Sequence, residues 1–294
     1  MTGEGNALRP EQVEAFKRDG YIVVEEAISR AQLAAARAQM DAWVALSRAH
    51  QAPFGEPTVD GKPRFDLAPE HCAETPALRR VNNPSDLSQA FEHIMRESRV
   101  ADMVADLLGG TAKFHHCKIN LKLPRTATEV AFHQDFGFTP HTNDDVVTAL
   151  IMLDHMTEEN GCLSVVPGSH KGPMHSLFDG EVFTGFVAEE VAAQAARAAV
   201  PVVGAAGGAC LMHTCTLHGS KANASAAARG LYIAVYSAAD AYPIAPNPMP
   251  NPNEGQMIRG QASRLARLEP LAVEIPQQPK RASFFAVQEE AGGG

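Results

Sequence analysis

None of the five cysteines of this 294-residue chain (Cys72, Cys117, Cys162, Cys210 and Cys215) forms a CxxC pair, and their number is odd. A disulfide framework or a thiolate zinc site is not expected, and a reducing, cytoplasmic setting suits such thiols. Dense lysine or arginine runs are also missing, and 34 acidic residues against 25 basic ones give a net charge of −9. That balance excludes the basic surface that nucleic acid or an anionic membrane requires. No window reaches ~18 uninterrupted apolar residues, and the first six residues lack the basic-then-apolar pattern of a signal peptide, so neither a membrane span nor a leader is expected. No internal repeat is present. What remains is 45% hydrophobic content, enough to bury a substantial core, with small molecules as the expected partners. Oligomeric state is left open.

Pro10 followed by Glu11, Gln12 and Glu14 predicts a helix that stops near Gly20, since proline at the first position loses no hydrogen bond and acidic residues suit the positive end. Tyr21 to Val24 is a short β-branched strand, and Ser29 caps a helix over about Arg30 to Ser47. Residues 51–70, rich in proline and glycine, are irregular, and a helix is expected from Pro84 to Leu108 with Gly109 and Gly110 as its stop. From Lys113 the period changes to short extended segments: Lys113 to Leu123, Asp145 to Asp154, Cys162 to Val166, Pro201 to Val203, Ala209 to His213 and Gly230 to Ser237. Strands divided by glycine- and proline-rich turns, without alternating helices, predict a mainly β protein with flanking helices around a jelly roll. Glu189 to Ala199 is a helical insertion, and the proline-rich segment 243–252 cannot be a central strand. Residues 1–280 are expected to form one domain: a helical and loop region (1–110), the barrel core (111–240) and a C-terminal extension (241–280), with 281–294 as a flexible tail.

The segment Phe132-His133-Gln134-Asp135-Phe136-Gly137 places an imidazole and a carboxylate two residues apart, on one face of an extended strand. His218 comes 83 residues after Asp135. Two histidines and one carboxylate can hold one face of a ferrous ion and leave the opposite positions open. A lone His-x-Asp arises often by chance, so its neighbours must decide. Arg229 stands eleven residues after His218, at the start of the apolar strand Leu231 to Tyr236. A guanidinium there can clamp a carboxylate bidentately.

Together with Asn160 to Gly172, with Ser220 and Asn223, and with the opening Phe16 to Val24, these motifs resemble the phytanoyl-CoA dioxygenase family of Fe(II)- and 2-oxoglutarate-dependent oxygenases, over roughly residues 10 to 240. The resemblance implies a double-stranded β-helix (jelly roll, cupin-like) with iron on His133, Asp135 and His218. It implies that Arg229, assisted by Ser220, binds the distal carboxylate of 2-oxoglutarate, with Lys122 a further candidate for that cofactor or for the substrate. The implied reaction consumes O2, releases succinate and CO2, and hydroxylates an unactivated C–H bond of a small or medium organic acid, acyl thioester or natural-product intermediate. Asp135 favours hydroxylation over halogenation, which would need the carboxylate's coordination position. One departure is Gly207-Gly208-Ala209, where relatives commonly have Gly-Asp; it is expected in a turn away from catalysis.

His141, Asn120 and Phe136 are candidate substrate contacts. His115 and His116, adjacent on a strand, are expected to face opposite ways and to serve as core and cavity wall. His213 is expected to pack behind the metal site, His170 to belong to a turn, and Gln134 to point away from the metal pair. Arg79, Arg80, Asn82, Asn83, Arg259 and Arg264 fit solvated surface better than an anionic substrate site. The alanine stripe of 192–199 fits packing better than a lid. A non-redox jelly roll that binds a metal or small ligand is the alternative reading, whereas a zinc or manganese hydrolase or isomerase would leave Arg229 without a purpose. Selectivity is expected on loops 51–70, 136–145 and 174–199 and after 240.

Overall fold

The computed structural model describes residues 6–124, 126–270 and 272–277, together with Phe285 and Gln288. The elements follow in order: α1 (Pro10–Asp19), β1 (Tyr21–Val24), α2 (Arg30–Ser47), β2 (Phe65–Leu67), β3 (Leu78–Asn82), α3 (Gln89–Glu97), α4 (Arg99–Leu107), β4 (Ala112–Lys122), β5 (Val130–His133), β6 (Val146–Met152), β7 (Leu163–Val165), β8 (Phe178–Asp179), β9 (Val182–Phe183), α5 (Glu189–Ala198), β10 (Val200–Val202), β11 (Ala209–His213), β12 (His218–Ser220), β13 (Arg229–Ser237) and β14 (Met257–Arg259). A large antiparallel sheet runs β1-β11-β6-β13-β4-β3-β2, with β14 against β4, and it faces a smaller sheet β10-β7-β12-β5. The two sheets are the expected jelly roll.

Local chemistry explains the front helices. Ser29 accepts from the Gln32 backbone while Gln32 reaches back to the Ser29 amide, a reciprocal cap that fixes the start of α2. Gly20 closes α1 in the left-handed region (φ 80°), where a Cβ would lie 2.4 Å from His170 Nδ1 and 2.6 Å from Thr216 Oγ1. The single helix expected over Pro84 to Leu108 is instead a 3-10 turn at Pro84–Asp86 followed by α3 and α4. The break falls at Ser98, whose backbone is extended and whose hydroxyl donates to Ile94 O at 2.6 Å. This serine competes with the helical hydrogen bonds.

Alternation sorts the large sheet into two environments. Tyr232, Ala234 and Tyr236 of β13 and Val147, Ala149 and Ile151 of β6 pack toward the helices. Their alternates Leu231, Ile233, Leu150 and Met152 face between the sheets, where they meet Leu163, Val165, Cys210 and Met212. That inner core fills one end of the barrel and leaves the other for a cavity. On the outer side, Tyr232 and Tyr236 donate their hydroxyls to the carbonyls of Phe91 (3.1 Å) and Met95 (2.9 Å), tying α3 to the sheet. Among the described residues no helix is long and apolar enough to cross a membrane.

β3 and β2 extend the sheet where no strand was expected, and they bury Arg79, Arg80, Asn82 and Asn83 instead of exposing them. Arg79 Nε donates to Asp66 at 2.8 Å. Gly207, with φ at 90°, occupies the expected turn, and α5 packs Val191, Ala192 and Ala195 against Phe138, Phe183 and Leu217.

Candidate metal centre and cavity

β5 and β12 are neighbours in the small sheet, and their register makes His133 and His218 direct partners. Gly219 permits this approach: a Cβ there would sit 2.9 Å from Val130 O and 3.3 Å from the Phe132 amide. β5 ends at His133, Gln134 stays extended, and Asp135 opens the 3-10 turn Asp135–Gly137, so its carboxylate comes back to the face of His133. Asp135 Oδ1 lies 3.5 Å from His133 Nε2 and 3.8 Å from His218 Nε2. One ligand atom from each of the three falls within 4.8 Å of the others.

The remaining atoms of the trio are committed elsewhere. His133 Nδ1 meets Ala131 O at 2.8 Å and His218 Nδ1 meets Thr216 O at 2.9 Å. A carbonyl only accepts, so both Nδ1 atoms carry the proton and both Nε2 lone pairs face Asp135. Thr148 Oγ1, from β6 in the opposite sheet, donates to Asp135 Oδ2 at 2.7 Å. Burial, and then the neighbouring His133, lower His218 to about 4, so it is neutral at ordinary pH. Burial alone would raise Asp135, but the neighbouring His218, His133 and Lys118 hold its carboxyl well below the usual carboxylate range. Two imidazole Nε2 atoms and an ionised carboxylate on one side of an open space suit Fe(II).

An open cavity lies between the sheets. Lys122 and Arg229 are register partners on β4 and β13, at its inner end. Arg229 donates Nε and Nη2 to Gly161 O (3.1 and 2.8 Å) and reaches Ser220 Oγ at 3.4 Å. Lys122 Nζ donates to Ser220 Oγ at 2.7 Å and to Lys221 O. Gly161 must be glycine, since its φ is 72° and a Cβ would lie 2.4 Å from Lys221 O. Burial pushes the Lys122 ammonium down to about 6, with Arg229 as the second cause, and burial brings Arg229 to about 10. A buried guanidinium beside a buried amine, without a carboxylate hydrogen-bonded to either among the described residues, suits an anion.

The other candidates separate. Asn120 lines the cavity and accepts from Arg80 Nε at 3.1 Å. Phe136, fully buried among Val146, Cys215 and Val235, is not part of the lining, and neither is His141, which bonds Thr139 O at 2.8 Å and meets the His115 ring edge-on. Gln134 points away, donating to Cys215 O at 2.8 Å. His213 lies with Asp144 and Cys215 behind the site, and His170 bonds Lys17 O from its turn. His115 and His116 do not simply alternate: the register slips opposite Val235 and Tyr236, and their Nδ1 atoms meet at 2.6 Å. Such a bulge re-aims side chains; His115 is buried and His116 lines the cavity. Of the tail expected over 281–294, Phe285 and Gln288 line the cavity and the other residues lie outside the described ones.

Sequence reasoning passed over Lys118 and Thr148 and read Arg80 as surface charge, and all three are in the lining. A signal was available for the first: His116, Lys118, Asn120 and Lys122 recur at the two-residue period of a strand and so share a face. Arg80 offered none, because Leu78-Arg79-Arg80-Val81-Asn82 does not alternate.

A sequence model of the family described as "Phytanoyl-CoA dioxygenase (PhyH)" matches residues 16–231. A probable alpha-ketoglutarate-dependent hypophosphite dioxygenase of Stutzerimonas stutzeri is 34% identical over 208 residues, covering 69% of this chain and 72% of that protein. The ectoine dioxygenase of Stutzerimonas stutzeri strain A1501 is 30% identical over 173 residues, and the match spans 57% of this chain and about half (52%) of the relative. Among solved structures, EctD from S. alaskensis with bound Fe superposes with a TM-score of 0.64 at 24% identity, over 95% of this chain and 90% of that one, a likeness of fold. The chain thus belongs to the phytanoyl-CoA dioxygenase family, and with it to the iron- and 2-oxoglutarate-dependent dioxygenases.

Proposed function

We propose that His133, Asp135 and His218 hold Fe(II), that Arg229, Lys122 and Ser220 receive the distal carboxylate of 2-oxoglutarate, and that the enzyme hydroxylates a small molecule in the adjoining cavity. The observation that carries this reading is the pairing of two features in one cavity: a trio with both Nε2 atoms turned to Asp135, and a buried cation pair at the inner end. When bound, iron and the 2-oxo acid would supply the oxidising power from O2, with succinate and CO2 as co-products. The chain's own share is positional. The carbonyls of Ala131 and Thr216 orient the imidazoles, Thr148 fixes the outer carboxylate oxygen, and Gly161 aims Arg229. Leu231, Ile233 and Val235 line one wall and keep water from the reacting bond. A cytoplasmic location fits the five free thiols.

Anaerobic addition of Fe(II) and 2-oxoglutarate should give a weak visible charge-transfer band, absent in His133→Ala. A wild-type protein that binds iron yet shows neither the band nor 2-oxoglutarate consumption would be a non-redox binder, and the assignment would fall.

A further inference from the structure

The described cavity lining contains four cationic side chains, Arg80, Lys118, Lys122 and Arg229, and a single carboxylate, Asp135. Iron(II) would add two positive charges and dianionic 2-oxoglutarate would remove two, so the excess persists when both are bound. Lys122 and Arg229 are accounted for at the inner end. Lys118 and Arg80 are not.

These two belong to one wall. Lys118, Asn120 and Lys122 occupy successive same-face positions on β4, and Arg80 is the register partner of Asn120 on β3. Arg80 is buried and donates Nε to Asn120 Oδ1 at 3.1 Å, and Phe285 covers its guanidinium plane at 4.6 Å. The Asn120 bond and the ring hold the fork in place and leave its two terminal nitrogens without a partner in the described structure. Lys118 is half-buried and has no hydrogen bond or ion pair among the described residues. Asp66, on the adjoining strand β2, is engaged by Arg79 at 2.8 Å. Burial, and then Arg80, lower Lys118 to about 8, while Asp135 pulls the other way, and all three line the one cavity. Two desolvated cations turned on one space, with a fixed planar donor fork among them, are the arrangement that recognises an oxyanion.

We infer that the substrate carries a compact oxyanion group, a carboxylate or a phosphorus oxyanion, which Lys118 and Arg80 hold on the β3–β4 wall while the rest of the molecule lies against the apolar β13 wall. This inference rests on the iron and 2-oxoglutarate reading above. Small anions are favoured over large ones, since the cofactor must share the same cavity.

Hypophosphite, methylphosphonate, propionate and neutral propionamide can be offered to the full chain loaded with Fe(II) and 2-oxoglutarate. The visible band is followed without O2, and succinate release with it. At least one of the three anions should perturb the band and stimulate succinate release, and propionamide should do neither. The identity of the effective anion separates carboxylate from phosphorus chemistry. Lys118→Met should raise KM for that anion about tenfold or more and leave the band and the 2-oxoglutarate KM unchanged, with partial recovery in Lys118→Arg. Equal response to propionamide and propionate, no response to any of the three anions, or an unchanged KM in Lys118→Met would overturn the inference. Absence of the band in wild type would instead overturn the iron reading beneath it.

Discussion

Asp135 stands between the two sheets: His133 Nε2 on β5 and His218 Nε2 on β12 lie 3.5 and 3.8 Å from Oδ1, and Thr148 on β6 donates to Oδ2 at 2.7 Å. The imidazoles take their orientation from backbone carbonyls, so the carboxylate is the member of the trio that depends on another side chain. Thr148→Val keeps the shape and removes the hydroxyl. Outer-shell bonds of this kind are worth roughly 10–100-fold in metal affinity or activity. Fe(II) titration of the variant should show weaker binding by that order, with thermal unfolding of the metal-free protein little changed. Unaltered iron affinity would show that Thr148 does not position Asp135.

Cofactor binding should depend on pH through Lys122. Without 2-oxoglutarate its pKa lies near 6, far below the ordinary 10.5, because burial and the facing Arg229 disfavour the ammonium, against the opposing pull of Glu129 and Cys162. Between those values the unfolded chain holds a proton that the folded one lacks. This contribution to stability is therefore fully present above the ordinary lysine value and is lost as pH falls toward about 6. A bound carboxylate restores the charge, so 2-oxoglutarate should bind with proton uptake above pH 6 and more weakly as pH rises, by up to about tenfold per unit. Calorimetry in buffers of different ionisation enthalpy measures that proton. Lys122→Met should lose the uptake and the slope together.

The tie between α3 and the sheet gives a stability prediction. Tyr232→Phe and Tyr236→Phe each remove a hydroxyl that satisfies a buried helix carbonyl at 3.1 and 2.9 Å. The loss of each is expected to cost about 1 kcal/mol, and more if the carbonyl stays dry. Both residues face away from the cavity, so urea midpoints should fall while iron binding stays constant. A change in the visible band without a change in midpoint would contradict that division of the sheet.

How much was legible beforehand depends on the range of the forces involved. α2 and the Gly20 stop follow from contacts within a few residues, and their limits were readable from Ser29 and Gly20. The triad and Arg229 lie on strands far apart in sequence: the two-residue spacing of His133 and Asp135 was readable locally, whereas joining them to His218 and Arg229 rested on the resemblance. The break at Ser98 escaped because a serine mid-helix can either continue or compete, and the local sequence does not decide. Arg79 and Arg80 read as surface charge because burying them depends on Asp66, Asn120 and Phe285, partners between 13 and about 200 residues away. Gln134, by contrast, obeyed simple alternation and points where a strand requires.

β4 acts as a graduated scale. Same-face neighbours on a strand stand about 6.6 Å apart, so Lys122, Asn120 and Lys118 mark successive rungs away from the cation pair proposed to receive the cofactor's carboxylate. A substitution on the outer rung would alter which molecule is accepted without disturbing the inner one. Chemistry and choice of substrate can then diverge separately along one strand, and a new specificity requires a point change there in place of a rebuilt loop.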